Sequence, residues 1–494
     1  MSQQSATGLD KSMLVGGEWV GADDRITVIH PYDSEPVGSV PSASESQVEA
    51  AVDAAAEAVE ASTLSAYERY ELLSATARQV ESRAEEIART LTSEQGKPIT
   101  EARTEVDRAV QTLDMSAEEA KRMFGEYVPM DAQRGFARDH CFTQREPVGV
   151  VAAITPFNFP LNLMVHKVGP ALAAGNAVVG KPASNTPLCG ILLFECLDDA
   201  AAEVDADVPD GLFNVVTGSG STTGDVILEH DAVESISFTG STAVGKYLAN
   251  NSGMKEVTLE LGGNDPTIVW DDTDIEQAAE AVVGGACGNA GQVCNSVERV
   301  IVPEHAEAEI VDAIVEAAEA LAVGNPFDEA TQVASMVDDS QFDDVVEIFE
   351  KTVEMGATVE CGGNYGGELG ERVFEPTVLS DVTPEMPAAS EETFGPLVPV
   401  ISVPDFEAAI EEANNTRYGL EAGIFTQDID RAKRAADAID AGGVNVNTVS
   451  GFRADHMPYG GFKESGVGKE GIKYAVEHFS RQKLVGFHQG FTDV

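Results

Sequence analysis

The sequence predicts an α/β fold: a doubly wound parallel-sheet unit, a second α/β unit and a small β element. Three observations point there. At 494 residues the chain is too long for one compact core, so two or three domains are expected. Between 148 and 261, short apolar β runs alternate with helical patterns, which implies parallel βαβ units whose ligands lie beyond the carboxyl ends of the strands. A second alternation of helices and short strands begins at 266–270 and runs to about 452. The third component is the pair of polar, β-like stretches at 126–146 and 483–492, which lack helical periodicity. The first resembles a projecting hairpin, and the second can pair with it or with another subunit.

Taken in order, 13–41 holds short β runs broken by Gly16-Gly17 and Pro31. Ser44 opens a helix through Ser62, with Gln47 placed to complete a capping box. Helical patterns at 66–94 and 99–124 are rich in Glu, Arg and Ala and read as outer-layer helices with solvated charge and no chemistry. The first βαβ region has strands at 148–155, 177–180, 213–217, 235–239 and 257–261, with helices at 161–174, 187–202, 222–230 and 242–250 between them. In the second region the clearest helix is 304–323. The chain shows no repeat and no low-complexity tract.

Charge and cysteine usage exclude several function classes. Thirty-one Lys and Arg against 84 Asp and Glu give a net charge of −53, spread over the whole length. At 43% hydrophobic content the chain is too apolar to be disordered. Such self-repulsion destabilises a fold in dilute buffer and is screened by strong salt, so the cytoplasm of an extreme halophile is expected. Nucleic acid and anionic membrane are excluded as partners by the same charge. The six cysteines form no CxxC and no Cys/His cluster with zinc spacing, so no metal site is expected and the thiols read as free in a reducing compartment. A polar start at 1–12 and the lack of an apolar run of membrane length predict a soluble, cytoplasmic protein.

Chemistry-bearing residues fall at the element ends. Asn289-Ala290-Gly291-Gln292-Val293-Cys294-Asn295-Ser296 is a glycine-containing loop between a helical pattern and a β run. A cysteine there is either a small buried hydrophobe or a nucleophile. Cys287, seven residues earlier among small residues, reads as packing. Phe238-Thr239-Gly240-Ser241-Thr242-Ala243-Val244-Gly245 ends a strand at a glycine and opens a helix whose free N–H groups suit a phosphate. Gly218-Ser219-Gly220 with Gly224 is a weaker variant of the dinucleotide pattern. Lys181 ends a buried strand within reach of a ribose or phosphate, unless it is only a solvated strand end. Asn158, in Pro156-Phe157-Asn158-Phe159-Pro160, is either a turn residue or an amide donor to an oxyanion. Glu260 stands at the penultimate position of its strand before Gly262-Gly263, where an isolated carboxylate is costly unless paired or functional.

Together with Lys181-Pro182, Glu391-Glu392-Thr393-Phe394-Gly395-Pro396 and Pro458-Tyr459-Gly460-Gly461-Phe462-Lys463-Glu464-Ser465-Gly466, these motifs follow the order and spacing of the aldehyde dehydrogenase superfamily, which the chain resembles from about Leu14 to about Gly486. The resemblance implies a dinucleotide-binding domain (1–125 and 148–262), a catalytic domain (263–470), and an oligomerisation hairpin and C-terminal strand (126–147 and 480–494) that build a homodimer or homotetramer. It further implies attack by Cys294 on the aldehyde carbon, an oxyanion held by Asn158 and the Cys294 N–H, hydride transfer to a nicotinamide, and hydrolysis of the thioester by water that Glu260 activates. By matching position, Lys181 and Glu392 hold the two ribose hydroxyl pairs, Phe394 packs near the nicotinamide, and Gly240 with Ser241 receives the pyrophosphate.

Ser184 stands where many NAD-preferring relatives carry a glutamate, so NADP is favoured over NAD, without excluding NAD. The substrate-facing motifs are most similar to the lactaldehyde and non-phosphorylating glyceraldehyde-3-phosphate branch, with Asn162 assigned to a substrate hydroxyl and Arg453 to a substrate phosphate or carboxylate. Succinate-semialdehyde oxidation is the alternative, weakened by His166 where such enzymes often carry arginine. An inactive member serving as a binding protein, or a coenzyme A-acylating one, is disfavoured by the joint presence of Cys294, Glu260 and Asn158.

Overall fold

The computed structural model describes residues 9–134 and 139–487. Residues 1–8, the tip 135–138 of the expected hairpin and the end 488–494 of the expected C-terminal strand lie outside the described residues. The first α/β unit is an eight-stranded sheet. Its five central strands run parallel in the order Glu256–Glu260, Val233–Thr239, Val150–Ile154, Ala177–Lys181, Phe213–Val215. Met13–Val15 and Glu18–Val20 extend one edge antiparallel and Gly466–Val467 the other. The chain enters at the centre, winds outward and then returns to the opposite side, so the topology switches between Val150–Ile154 and Val233–Thr239. A crevice opens at the carboxyl ends of two such strands because their following loops diverge.

Apolar residues on both faces make this sheet: Val151, Val179 and Ile236 are fully buried beneath helices that contribute Val165, Leu192 and Leu197. The second unit is a seven-stranded sheet in which only the edge strand Thr358–Cys361 is antiparallel. The small β element is three-stranded, with Ser480–Phe487 paired antiparallel along His140–Pro147 and Tyr127–Val128 on the far edge. The C-terminal segment therefore pairs with the hairpin of its own chain. No helix among the described residues is long and apolar enough to cross a membrane.

Ser44 caps the helix Glu45–Ala61 with the full capping box, its N–H donating to Gln47 Oε1 at 3.1 Å. The expected helix 66–94 is two helices, Ala66–Ser82 and Ala84–Gln95. Arg83 breaks it, its guanidinium pinned between Glu86 and Glu195. The expected helix 304–323 shortens to Glu307–Glu319 because Glu304 N–H donates to the Val403 carbonyl and Val323 bridges Val333. Glu260 proves to be the last residue of its strand.

A larger correction concerns the helices Ala84–Gln95 and Ile99–Ala120, which are not merely solvated. Glu94, Lys97 and Glu105 are buried. Glu94 accepts from the Leu188 and Cys189 N–H groups at 2.6 and 2.8 Å and so caps the helix Leu188–Glu203. Glu105 shares a helix face with Ala102, Val106 and Ala109, the stripe that packs inward.

Candidate active site

Three loops of the first sheet and two segments of the second unit meet over the switch point. Asn158 follows Val150–Ile154, Gly240 and Ser241 follow Val233–Thr239, and Gly262 follows Glu256–Glu260. From the other unit come Cys294, ahead of the strand Arg299–Pro303, and the segment with Glu392 and Phe394. All of these line one cavity of about 260 Å³. Glu260, Lys181, Ser184, Asn162 and Arg453 are not in its lining.

The backbone that presents Cys294 is strained. Asn289 and Ala290 are consecutively left-handed (φ 50° and 55°), which costs roughly 1–2 kcal/mol for a residue such as alanine. Gly291 follows at φ 76°, where a Cβ would collide with the Gly395 carbonyl. Polar contacts repay that strain: Asn289 N–H donates to Glu101 at 3.0 Å, and its amide donates to the Asn158 carbonyl at 3.2 Å. Asn158 in turn donates from Nδ2 to the Gln292 carbonyl at 2.9 Å. Beneath it Lys97 Nζ donates to the Asn158 carbonyl at 2.7 Å and to Glu105 at 2.6 Å, and lies 4.1 Å from the Phe159 ring centroid. The other Glu105 oxygen accepts from the Leu161 and Asn162 N–H groups. One helix start thus fixes both the asparagine loop and the cysteine loop.

Cys294 Sγ lies 3.0 Å from Tyr459 Oη. Burial pushes the thiol up to about 12, while the Tyr459 hydrogen bond and the Arg453 charge pull against it. Glu260 is close enough to oppose ionisation of the thiol, yet neither of its buried oxygens has a hydrogen-bond partner among the described residues. Burial, and then the neighbouring Glu470, hold the Glu260 carboxyl well above the usual range. Glu470 goes the other way: against its own burial, Lys167 and Arg453 bring it down to about 2. Lys167 Nζ donates to Glu470 at 2.6 Å and Arg453 at 3.1 Å.

Arg453 is therefore half-buried and paired, with its guanidinium 3.8 Å over the Tyr459 ring and its Nε–H without a partner among the described residues. Asn162 corrects its expected role. One N–H of its amide donates to Asp455 at 3.2 Å and its oxygen accepts from Thr112 at 3.3 Å inside the core, away from the cavity lining. Asp455 also binds Arg108 at 2.7 Å and His166 at 2.9 Å.

The remaining residues fit a dinucleotide. Lys181 is 6% exposed, and among the described residues its Nζ reaches only the Pro182 carbonyl, at 3.4 Å; burial lowers its pKa to about 8. A buried ammonium so weakly bonded suits a ribose or phosphate. Ser184 Oγ donates to the Gly218 carbonyl at 3.0 Å. Ser241 caps the helix Thr242–Asn251, whose amino end opens on the cavity. Glu392 accepts from the Gly263 N–H at 3.2 Å and is pushed up to about 8 by burial and then by Glu298. Phe394, at φ 52°, packs edge-on against Phe157.

Sequence reasoning missed Lys97, Glu101, Glu105 and Glu298. Glu298 accepts from the Thr393 and Phe394 N–H groups at 2.8 and 3.1 Å, fixing the segment that carries Glu392. A signal for Glu105 was present, since it falls on the apolar stripe of its helix. For Glu298 none was, because its partner lies 95 residues away.

The chain is similar to known proteins over nearly its whole length. The family described as "Aldehyde dehydrogenase family" matches residues 19–485. The chain is 42% identical to a 3-sulfolactaldehyde dehydrogenase of Priestia aryabhattai, over 96% of this chain and 97% of that one. It is 39% identical to a lactaldehyde dehydrogenase of Methanococcus aeolicus, over 96% and 99%. Among solved structures it superposes on a glyceraldehyde-3-phosphate dehydrogenase from Methanocaldococcus jannaschii complexed with NADP, with a TM-score of 0.90 at 38% identity, over 95% and 100%.

Proposed function

The chain belongs to the aldehyde dehydrogenase family, and on that premise we propose that it oxidises a small hydroxylated or anionic aldehyde to the carboxylic acid through a thioester on Cys294. The observation that carries this reading is the meeting of Cys294, Asn158, Gly240, Ser241, Glu392 and Phe394 in one cavity, with the Glu260 carboxyl, unpartnered among the described residues, close to the thiol.

The Cys294 thiolate attacks the aldehyde carbon, and the developing oxyanion takes the second N–H of the Asn158 amide and the Cys294 N–H. Gly240, Ser241, Glu392, Phe394 and Lys181 would hold NAD(P)+, which when bound would supply the hydride acceptor for oxidation of the Cys294 adduct. Glu260 then takes a proton from the attacking water.

The names of the relatives support the substrate class, since 3-sulfolactaldehyde, lactaldehyde and glyceraldehyde 3-phosphate are all short 2-hydroxy aldehydes. The open Nε–H of Arg453 is the donor we assign to an anionic tail. Ser184 in place of an acidic residue, and the NADP held by the M. jannaschii relative, support NADP over NAD. Exposed Tyr127, Leu484 and Phe487 on the small sheet support assembly with further copies, in a salt-rich cytoplasm that screens the charge of −53.

The test is turnover of lactaldehyde, glyceraldehyde 3-phosphate, 3-sulfolactaldehyde, succinate semialdehyde and butanal with each cofactor in molar salt, with products assayed with and without coenzyme A. Preference for butanal over every hydroxylated or anionic member overturns the substrate class. Acyl-CoA as the product overturns hydrolysis by Glu260.

A further inference from the structure

Tyr459 is 3% exposed, and its hydroxyl has one hydrogen-bond partner among the described residues, the Sγ of Cys294 at 3.0 Å. The phenol is fixed on three sides. Its backbone exchanges two hydrogen bonds with Glu470, at 3.1 and 2.7 Å. Above its ring stands the Arg453 guanidinium, 3.8 Å from the centroid and itself anchored by Glu470. A cation over an aromatic face draws electron density from the ring and sharpens the O–H as a donor.

We infer that Tyr459 is a further catalytic residue, whose hydroxyl donates to the Cys294 thiolate as it forms, favouring its ionisation and aiming the nucleophile at the aldehyde. Arg453 is the positioning residue that keeps the phenol in place. Tyr459 is a donor and not the base: burial, and then the neighbouring Cys294, hold its own pKa well above the usual tyrosine range, so the proton stays on oxygen. The inference rests on the reading of Cys294 as the nucleophile.

Tyr459→Phe removes one oxygen and leaves the ring under Arg453, so the fold is retained. The charged and titratable groups facing the thiol, namely Arg453, Asp265 and Glu260, are the same in both proteins. The measurement is the rate of iodoacetamide alkylation of Cys294 against pH, read on the Cys294 peptide by mass spectrometry because Cys361 is also accessible. A lost charge-assisted hydrogen bond should raise the apparent pKa of the thiol by about one unit, which slows alkylation about tenfold at any pH below both values. The pre-steady-state burst of reduced cofactor should slow by a similar factor, with KM for the aldehyde little changed. Arg453→Lys keeps the charge but loses the planar stack, and should shift the profile the same way by less. An alkylation profile identical to wild type, or a rise in KM with an unchanged burst, overturns the role of Tyr459. Cys294→Ala separates the two levels: if that variant still oxidises aldehydes, the parent reading fails, and if it is inactive while Tyr459→Phe alkylates like wild type, only the present inference fails.

Discussion

Glu260 and Lys181 are buried side chains with little or no polar compensation among the described residues, and each carries a residue-level prediction. Glu260→Gln keeps the shape but cannot accept a proton, so a burst of reduced cofactor should be followed by turnover at least about 100-fold slower than wild type. Undiminished steady turnover would remove Glu260 from the hydrolytic step. For Lys181 the sign follows from burial, which lowers its pKa from 10.5 to about 8. The ammonium is charged below that value and neutral above it. NADP affinity should therefore fall as pH rises through about 8, more steeply than NAD affinity, when both are followed by fluorescence titration. Ser184→Glu should reverse the preference by placing a carboxylate against the 2′-phosphate, and an unchanged NADP/NAD ratio would discard the role given to Ser184.

At the scale of elements, the start of the helix Ile99–Ala120 acts as a brace under two loops. Lys97→Met leaves Glu105 buried without its cation, which should cost about 3–5 kcal/mol. Asn158 should also lose its fixed carbonyl, so kcat should fall with little change in cofactor binding. Calorimetry with parallel kinetics checks both, and a variant as stable and as active as wild type would show the brace to be idle. The strained pair Asn289 and Ala290 belongs to the same scale. Its conformational cost is held only because Glu101, Asn158 and Gln292 bond that turn on several sides.

For the whole molecule, −53 charges on one chain make salt a determinant of stability. The thermal midpoint should rise by ten degrees or more, roughly, between 0.1 and 2 M NaCl, and a midpoint independent of salt would rule out a high-salt setting. Proton linkage adds a second dependence. Burial raises Glu94, Glu298 and Glu421 to about 7 and Glu392 to about 8. Groups raised in the folded state contribute stability that is complete below their unfolded value of 4.5 and is lost as pH rises through 7 to 8. Asp455 and Glu470 are lowered, so their contribution disappears on the acid side. In molar salt the midpoint should peak near pH 5 and decline towards pH 8, and a steady rise over that interval would contradict the burial of these acids.

The α/β alternation, the capping box at Ser44 and the motif residues at strand ends were legible in the sequence because each depends on a local rule: hydrophobic period, side-chain capping, glycine before a helix. Cys294, Asn158 and Glu260 could be singled out in the same way, as polar or reactive groups where the chain turns. What the sequence could not supply was which buried charges face which loops. Glu105 and Lys97 lie 8 residues apart, but the Asn158 carbonyl they support is 61 residues from Lys97, and Tyr459 meets Cys294 across 165. Asn162 shows the converse: its position beside Asn158 suggested a substrate contact, whereas the tertiary fold sets its amide against Asp455 and Thr112. Local periodicity determined the elements and their ends. The tertiary fold decided the protonation states and partners, because desolvation and Coulomb interactions act through space and leave no trace in spacing along the chain.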